Sequence, residues 1–89
     1  MYMVVENFKG KNPVPVYRRF RDRGRMAPVG VTYIASWVDD DFTKCYQLME
    51  TRDRNLLDAW VQNWNDLVDF EIVPVVTSRE AAERIALRL

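Results

Sequence analysis

"VTYIASWVDDDFTKCYQLMET", residues 31–51, reads as two strands joined by a tight polar connection. Residues 31–38 and 43–51 are rich in β-branched and aromatic side chains, and Asp39, Asp40 and Asp41 break the run where a hairpin would turn. An antiparallel hairpin in mid-chain constrains what its flanks can be. Downstream, Asp53 is placed to cap a helix with the apolar stripe Leu56, Leu57, Trp60, Val61, Trp64 and Leu67. Residues 69–76 form a fourth strand, and Pro74 assigns it to a sheet edge or a bulge, since proline cannot donate to a ladder. Thr77-Ser78-Arg79-Glu80 has the capping-box pattern and opens a last helix with Ala81, Ala82, Ile85 and Leu89 on one side. Upstream, residues 1–8 make a strand and Lys9–Asn12 a turn around Gly10. Asn12 and Pro13 then open a helix that runs to Arg23 and stops at Gly24.

The order is β-α-β-β-α-β plus a C-terminal helix over 78–89. This is the ferredoxin-like arrangement of the α+β class, an antiparallel sheet with two helices on one face. All 89 residues belong to one domain. Side chains alternate across a strand. In the second strand Val31, Tyr33, Ala35 and Trp37 share one face, and Thr32, Ile34, Ser36 and Val38 the other. In the fourth, Phe70, Ile72 and Pro74 oppose Val73 and Val75. Both faces are therefore apolar. The two helices cover one, and a second copy of the chain is expected to cover the other as a homodimer.

The charges balance at 13 and 13, which counts against a nucleic-acid binder. The chain has no histidine, the commonest metal ligand and general base, and a single cysteine, Cys45, so no intrachain disulfide forms. No signal-peptide pattern and no membrane span are present. A cytoplasmic protein is expected, without nucleic-acid or membrane partners.

The length, the element order and the stretch YQLMET…LLDAWVQNWNDLVDFEIVPV resemble a family of short bacterial proteins known only as a domain of unknown function. The resemblance implies a ferredoxin-like domain of the dimeric α/β-barrel type. It brings no established activity. That wider group includes cofactor-independent monooxygenases, haem-degrading monooxygenases, isomerases and plain ligand binders, and fold alone does not choose among them. VVENF, with Asn7, resembles the asparagine site of the haem-degrading members. Their partner histidine has no counterpart here, and Glu50-Thr51 stands where they carry a tryptophan. Haem and other cofactors are therefore not expected.

RRFRDRGR, residues 18–25, holds five arginines. At 100° per residue, Pro13, Val14, Tyr17 and Phe20 form the core stripe of the first helix. Arg19 and Arg23 then face solvent and Arg21 borders the core, with Glu6, Glu50 or Glu71 as its ion-pair partner. Arg18, Arg21 or Arg25 could alternatively clamp an anionic ligand. Trp60 and Trp64, one turn apart, read as core, or with Trp37 as walls of a hydrophobic pocket. Asn7, Gln47 and Glu50 are polar where strands usually carry apolar residues, and Asn7 and Gln47 could share one sheet face. The expected ligand set is Asn7, Arg21, Trp37, Gln47, Glu50, Trp60 and Trp64, around a small apolar or aromatic molecule with an acidic or polar group. Glu50 is the candidate base if a reaction occurs. The three aspartates of the hairpin do not converge as a metal site needs, and Cys45 reads as a buried thiol.

Two function classes follow. One is a dimeric ligand-binding or interaction domain. The other is a cofactor-independent monooxygenase- or isomerase-like enzyme.

Overall fold

The computed structural model describes residues 1–89. In chain order its elements are β1 (Tyr2–Phe8), a 3-10 turn (Lys9–Lys11), α1 (Val14–Arg23), β2 (Thr32–Val38), β3 (Lys44–Glu50), α2 (Arg54–Val61), β4 (Val68–Pro74) and α3 (Ser78–Ala86). The four strands form one antiparallel sheet in the order β2-β3-β1-β4, the ferredoxin-like topology. Pro74 does lie in an edge strand. No helix is long and apolar enough to cross a membrane.

The local signals act as their chemistry requires. Asn12 Oδ1 accepts from the Val14 amide at 3.1 Å, and the Asp53 carboxylate accepts from Asn55 N at 2.9 Å. Asp39 organises the hairpin turn by accepting from Thr43 N, Thr43 Oγ1 and Lys44 N at 2.7–2.9 Å, which holds its carboxyl below the usual range. Thr77 caps α3 by accepting from Glu80 N at 3.1 Å, while the Glu80 side chain turns to Arg84 and leaves the capping box half-made.

Register decides the faces. Val4 stands opposite Gln47 and Ile72, and Phe8 opposite Val68. Tyr2, Val4, Glu6 and Phe8 therefore share the helix-covered face with Cys45, Gln47, Met49, Val68, Phe70 and Ile72. The buried core is Val4, Phe8, Val16, Met49, Leu57, Trp60, Trp64 and Val68. The open face carries Met3, Val5 and Asn7 of β1, Tyr46, Leu48 and Glu50 of β3, and Ala35 and Trp37 of β2.

Three sequence expectations change. The ladder between β2 and β3 skips Ile34, a β-bulge. This one-residue slip carries Tyr33 to the covered side, opposite Met49, with Ser36 and Val38. The second helix ends at Val61, and Gln62–Leu67 continues as tight turns that still deliver Trp64 to the core. On α1 the only buried residue is Val16; of the expected stripe, Tyr17 and Phe20 face the sheet across an open cavity and stay partly exposed, and Val14 is exposed. The Arg19 guanidinium makes a two-pronged pair with Asp66 at 2.6–2.7 Å, donates to Asn63 O, and lies over the Trp64 ring. Arg19, expected in solvent, bolts α1 to the turns after α2. Arg21, expected at the core border, is 73% exposed and pairs only with its neighbour Asp22.

Candidate functional site

A cavity of about 200 Å³ opens between the covered sheet face and the helices. Its wall is mostly apolar and includes Phe8, Val16, Phe20, Val38, Trp60 and Trp64. Its polar groups are few and connected. Glu6, at the centre of β1, is only 6% exposed. Its carboxylate accepts from Gln47 Nε2 at 2.8 Å, and Gln47 Oε1 accepts from Arg25 Nε at 2.5 Å. Cys45 stands directly across the β1–β3 ladder from Glu6. The cavity therefore holds a relay from guanidinium through amide to carboxylate, with a thiol alongside.

Arg25 is aimed by the two tryptophans. Trp60 Nε1 and Trp64 Nε1 both donate to the Arg25 carbonyl, at 2.8 and 3.1 Å. Buried indole N–H groups need acceptors, and here both find one on the loop that follows α1. Asn63 Nδ2 donates to Met26 O in the same loop, and Met26 adopts a left-handed backbone (φ 59°). At the loop's end Gly30, with φ 97°, brings the backbone so close to Leu56 that an added Cβ would sit 2.8 Å from its Cδ1. The guanidinium lies 3.7 Å from the Tyr33 ring centre and 5.2 Å from that of Phe20, a cation–π sandwich. Only its Nε is engaged with a protein oxygen, so the Nη atoms are available at the cavity edge.

Burial dominates the electrostatics. Removal of Glu6 from water pushes its carboxyl up to about 7, although Cys45, Gln47 and Arg25 each pull the other way. Burial, reinforced by the nearby Glu6, pushes the Cys45 thiol up to about 12, which makes it a poor nucleophile. Tyr17, on the cavity wall, is raised by burial and by the proximity of Cys45 and Glu6.

Of the ligand residues expected from sequence, Gln47, Trp60 and Trp64 meet in this cavity. Asn7, Trp37 and Glu50 lie on the opposite, open face, so Asn7 and Gln47 do not share a face. Glu50 sits near the strand end, 3.4 Å from the Met1 amine, and is half exposed. Arg21 lies outside the cavity. The acid and the arginine that the cavity does hold are Glu6 and Arg25. Glu6 had a signal in the sequence, because Val4, Glu6 and Phe8 share parity and place a carboxylate on an apolar face. Arg25 had none beyond its place among three clamp candidates, since it lies in a loop that periodicity does not orient. No group of histidine, cysteine and acidic side chains is arranged to hold a metal ion.

Comparison with known proteins identifies the chain's family but not a function. Residues 1–88 match the model of the family described as a domain of unknown function, DUF3303, and the chain belongs to that family. No curated protein and no solved structure matches it.

Proposed function

We propose, starting from membership of a family with no assigned activity, that this domain binds a small, largely apolar or aromatic molecule carrying an acidic or polar group. The carrying observation is Arg25, whose backbone is held by two buried tryptophans and whose Nε alone is spoken for above an apolar cavity. A guanidinium with free Nη atoms suits a carboxylate. Trp60, Trp64 and Phe20 supply contact area, and Gln47 and Glu6 supply orientation. At about 200 Å³ the cavity suits a molecule with a single ring. In this reading the protein works in the reducing bacterial cytoplasm that the resemblance and the lone cysteine imply. It is a homodimer of the dimeric α/β-barrel type, its open sheet faces turned toward each other.

Titration with benzoate and with neutral benzamide, followed by NMR, tests the binding site. Benzoate should shift Phe20, Ser36, Cys45 and Gln47 resonances and bind more tightly than benzamide. Its affinity should fall as the pH rises through about 7, because Glu6 then becomes a second anion beside it. Arg25→Met should remove the preference. If neither probe perturbs the cavity resonances, the pocket reading fails.

A second reading has its own observation. A cavity carboxyl that titrates near 7 is matched to proton abstraction at neutral pH. Glu6, in place of Glu50, would then be the base of a cofactor-independent isomerase- or monooxygenase-like reaction. Solvent deuterium entering the α-carbon of an aryl ketone, lost in Glu6→Gln, would favour it over simple binding.

A further inference from the structure

Every residue from Val76 to Leu89 is exposed, and α3 buries none of its side chains. Yet α3 is well made. Thr77 caps it, and Arg79–Glu83 and Arg84–Glu80 pair along its charged side. Those pairs leave Ala81, Ala82 and Ile85 as a bare stripe on the other side, with Ile85 46% exposed. An isolated helix shorter than about 12 residues is marginal in water, so one of nine residues with an apolar stripe needs a surface to lie on.

The same chain has a surface that lacks a cover. Trp37 is 55% exposed on the open sheet face, and Tyr46, its register partner, is exposed beside it. The open face of β1, β3 and β4 carries Glu50, Asp69, Glu71 and Lys44, with Glu50 3.4 Å from the Met1 amine and Asp69 3.9 Å from Lys9. The arm carries Arg79, Arg84 and Arg88 against Glu80 and Glu83, and Arg88 is left over from the pairs along the helix.

The exposed area is in keeping with a missing cover. The chain exposes 6234 Å², whereas a compact monomer of 10.6 kDa exposes about 5500 Å². The surplus of roughly 700–800 Å² is close to one partner's share of a standard interface. The radius of gyration, 14.8 Å, likewise exceeds the ~12 Å of a compact chain of this length. Val75 N bonds to Met1 O at 2.9 Å, so only Val76 and Thr77 separate this anchored end of β4 from α3.

We propose that α3 is an exchanged arm. In a pair of copies, each α3 lays its Ala81–Ala82–Ile85 stripe on the rim of the other's open sheet face, against Trp37 and Tyr46. The proposal rests on the homodimer reading above and adds what holds the two copies in register. The protruding aromatics of the β2–β3 rim are covered by the arm, while the half-buried Met3, Val5 and Leu48 meet at the centre.

Sedimentation velocity on the full-length chain and three point variants tests it, with circular dichroism confirming the fold of each. Ile85→Glu alters the bare stripe. Leu87→Glu alters a more exposed residue, at 90%, on another side of the arm. Trp37→Asp alters the landing surface. None of the three positions is buried in the chain. The expected result is a dimer for the parent. Its dissociation constant should rise at least about tenfold in Ile85→Glu and in Trp37→Asp and stay unchanged in Leu87→Glu, as for anchors at an interface core. If Trp37→Asp dissociates the dimer while Ile85→Glu behaves as the parent, the arm is overturned and the dimer stands. Equal weakening by Ile85→Glu and Leu87→Glu also overturns the arm, because the effect then follows added charge and not the stripe. A parent that stays monomeric at all concentrations overturns both readings.

Discussion

On the face of the sheet that meets α1 and α2, Val4, Phe8, Met49 and Val68 are buried, and even the carboxylate of Glu6 is drawn out of water. On the other face of the same strands, Trp37 and Tyr46 stand in solvent while Asn7, Lys44 and Glu50 lie alongside them. The two faces differ little in the apolar content of their strands. They differ in what lies above them. Burial is a property of the cover, and it turns ordinary residues into chemically unusual ones. The same side-chain type, glutamate, is pushed up to about 7 at position 6 and is half exposed at position 50.

This contrast can be broken most forcefully on the covered side. Leu57→Ala removes a fully buried side chain that closes α2 onto the sheet, and should cost about 2–5 kcal/mol in urea denaturation. A cost under 1 kcal/mol would mean that the helices hold the sheet loosely.

The next largest effect is electrostatic and belongs to Glu6. Glu6 loses its proton near 4.5 when unfolded but near 7 when folded. Below pH 4.5 both states are protonated and the residue carries no penalty. Between 4.5 and 7 unfolding releases a proton, so stability falls as pH rises, and above 7 the loss is complete. At ~1.4 kcal/mol per unit this amounts to roughly 3 kcal/mol. Glu6→Gln should therefore be more stable than the parent by about 2–3 kcal/mol at pH 8 and equal to it at pH 4. Parallel pH profiles for the two proteins would contradict the burial of Glu6.

A smaller effect isolates the loop after α1. Trp64→Phe keeps most of the packing but deletes one of the two indole bonds to Arg25 O, and should cost about 1 kcal/mol. It should also weaken benzoate binding severalfold by loosening Arg25. Unchanged binding would separate the tryptophans from the aim of the guanidinium.

The smallest folding effect belongs to the open face. Trp37→Thr should change the stability of the single chain by no more than about 0.5 kcal/mol at high dilution, as at any exposed site. At higher concentration the parent alone should gain stability, because association adds to it.

Much of this architecture was legible in the chain. Hairpin, caps and edge proline each rest on local chemistry. The carboxylate of Asp53 meets the amide of Asn55 whatever surrounds them, and Pro74 lacks an N–H in any fold. The site was legible only in part. Gln47, Trp60 and Trp64 lie on elements whose periodicity orients them. Arg19 and Arg21 exchanged their expected places because a wheel that counts apolar residues gives no weight to an ion pair. Arg19 instead bonds to Asp66, 47 positions away. Tyr33 changed face through a bulge that alternation cannot foresee.

By itself, the order of residues determined the α+β class, the strand and helix sequence and the presence of two apolar sheet faces, since these depend on neighbours within a few positions. Tertiary structure alone decided which face is covered, that Glu6 and Arg25 share one cavity, and that α3 is left without a surface of its own. Those outcomes depend on contacts between residues far apart in the chain. Among such contacts the balance between burying a group and satisfying it has no local signature.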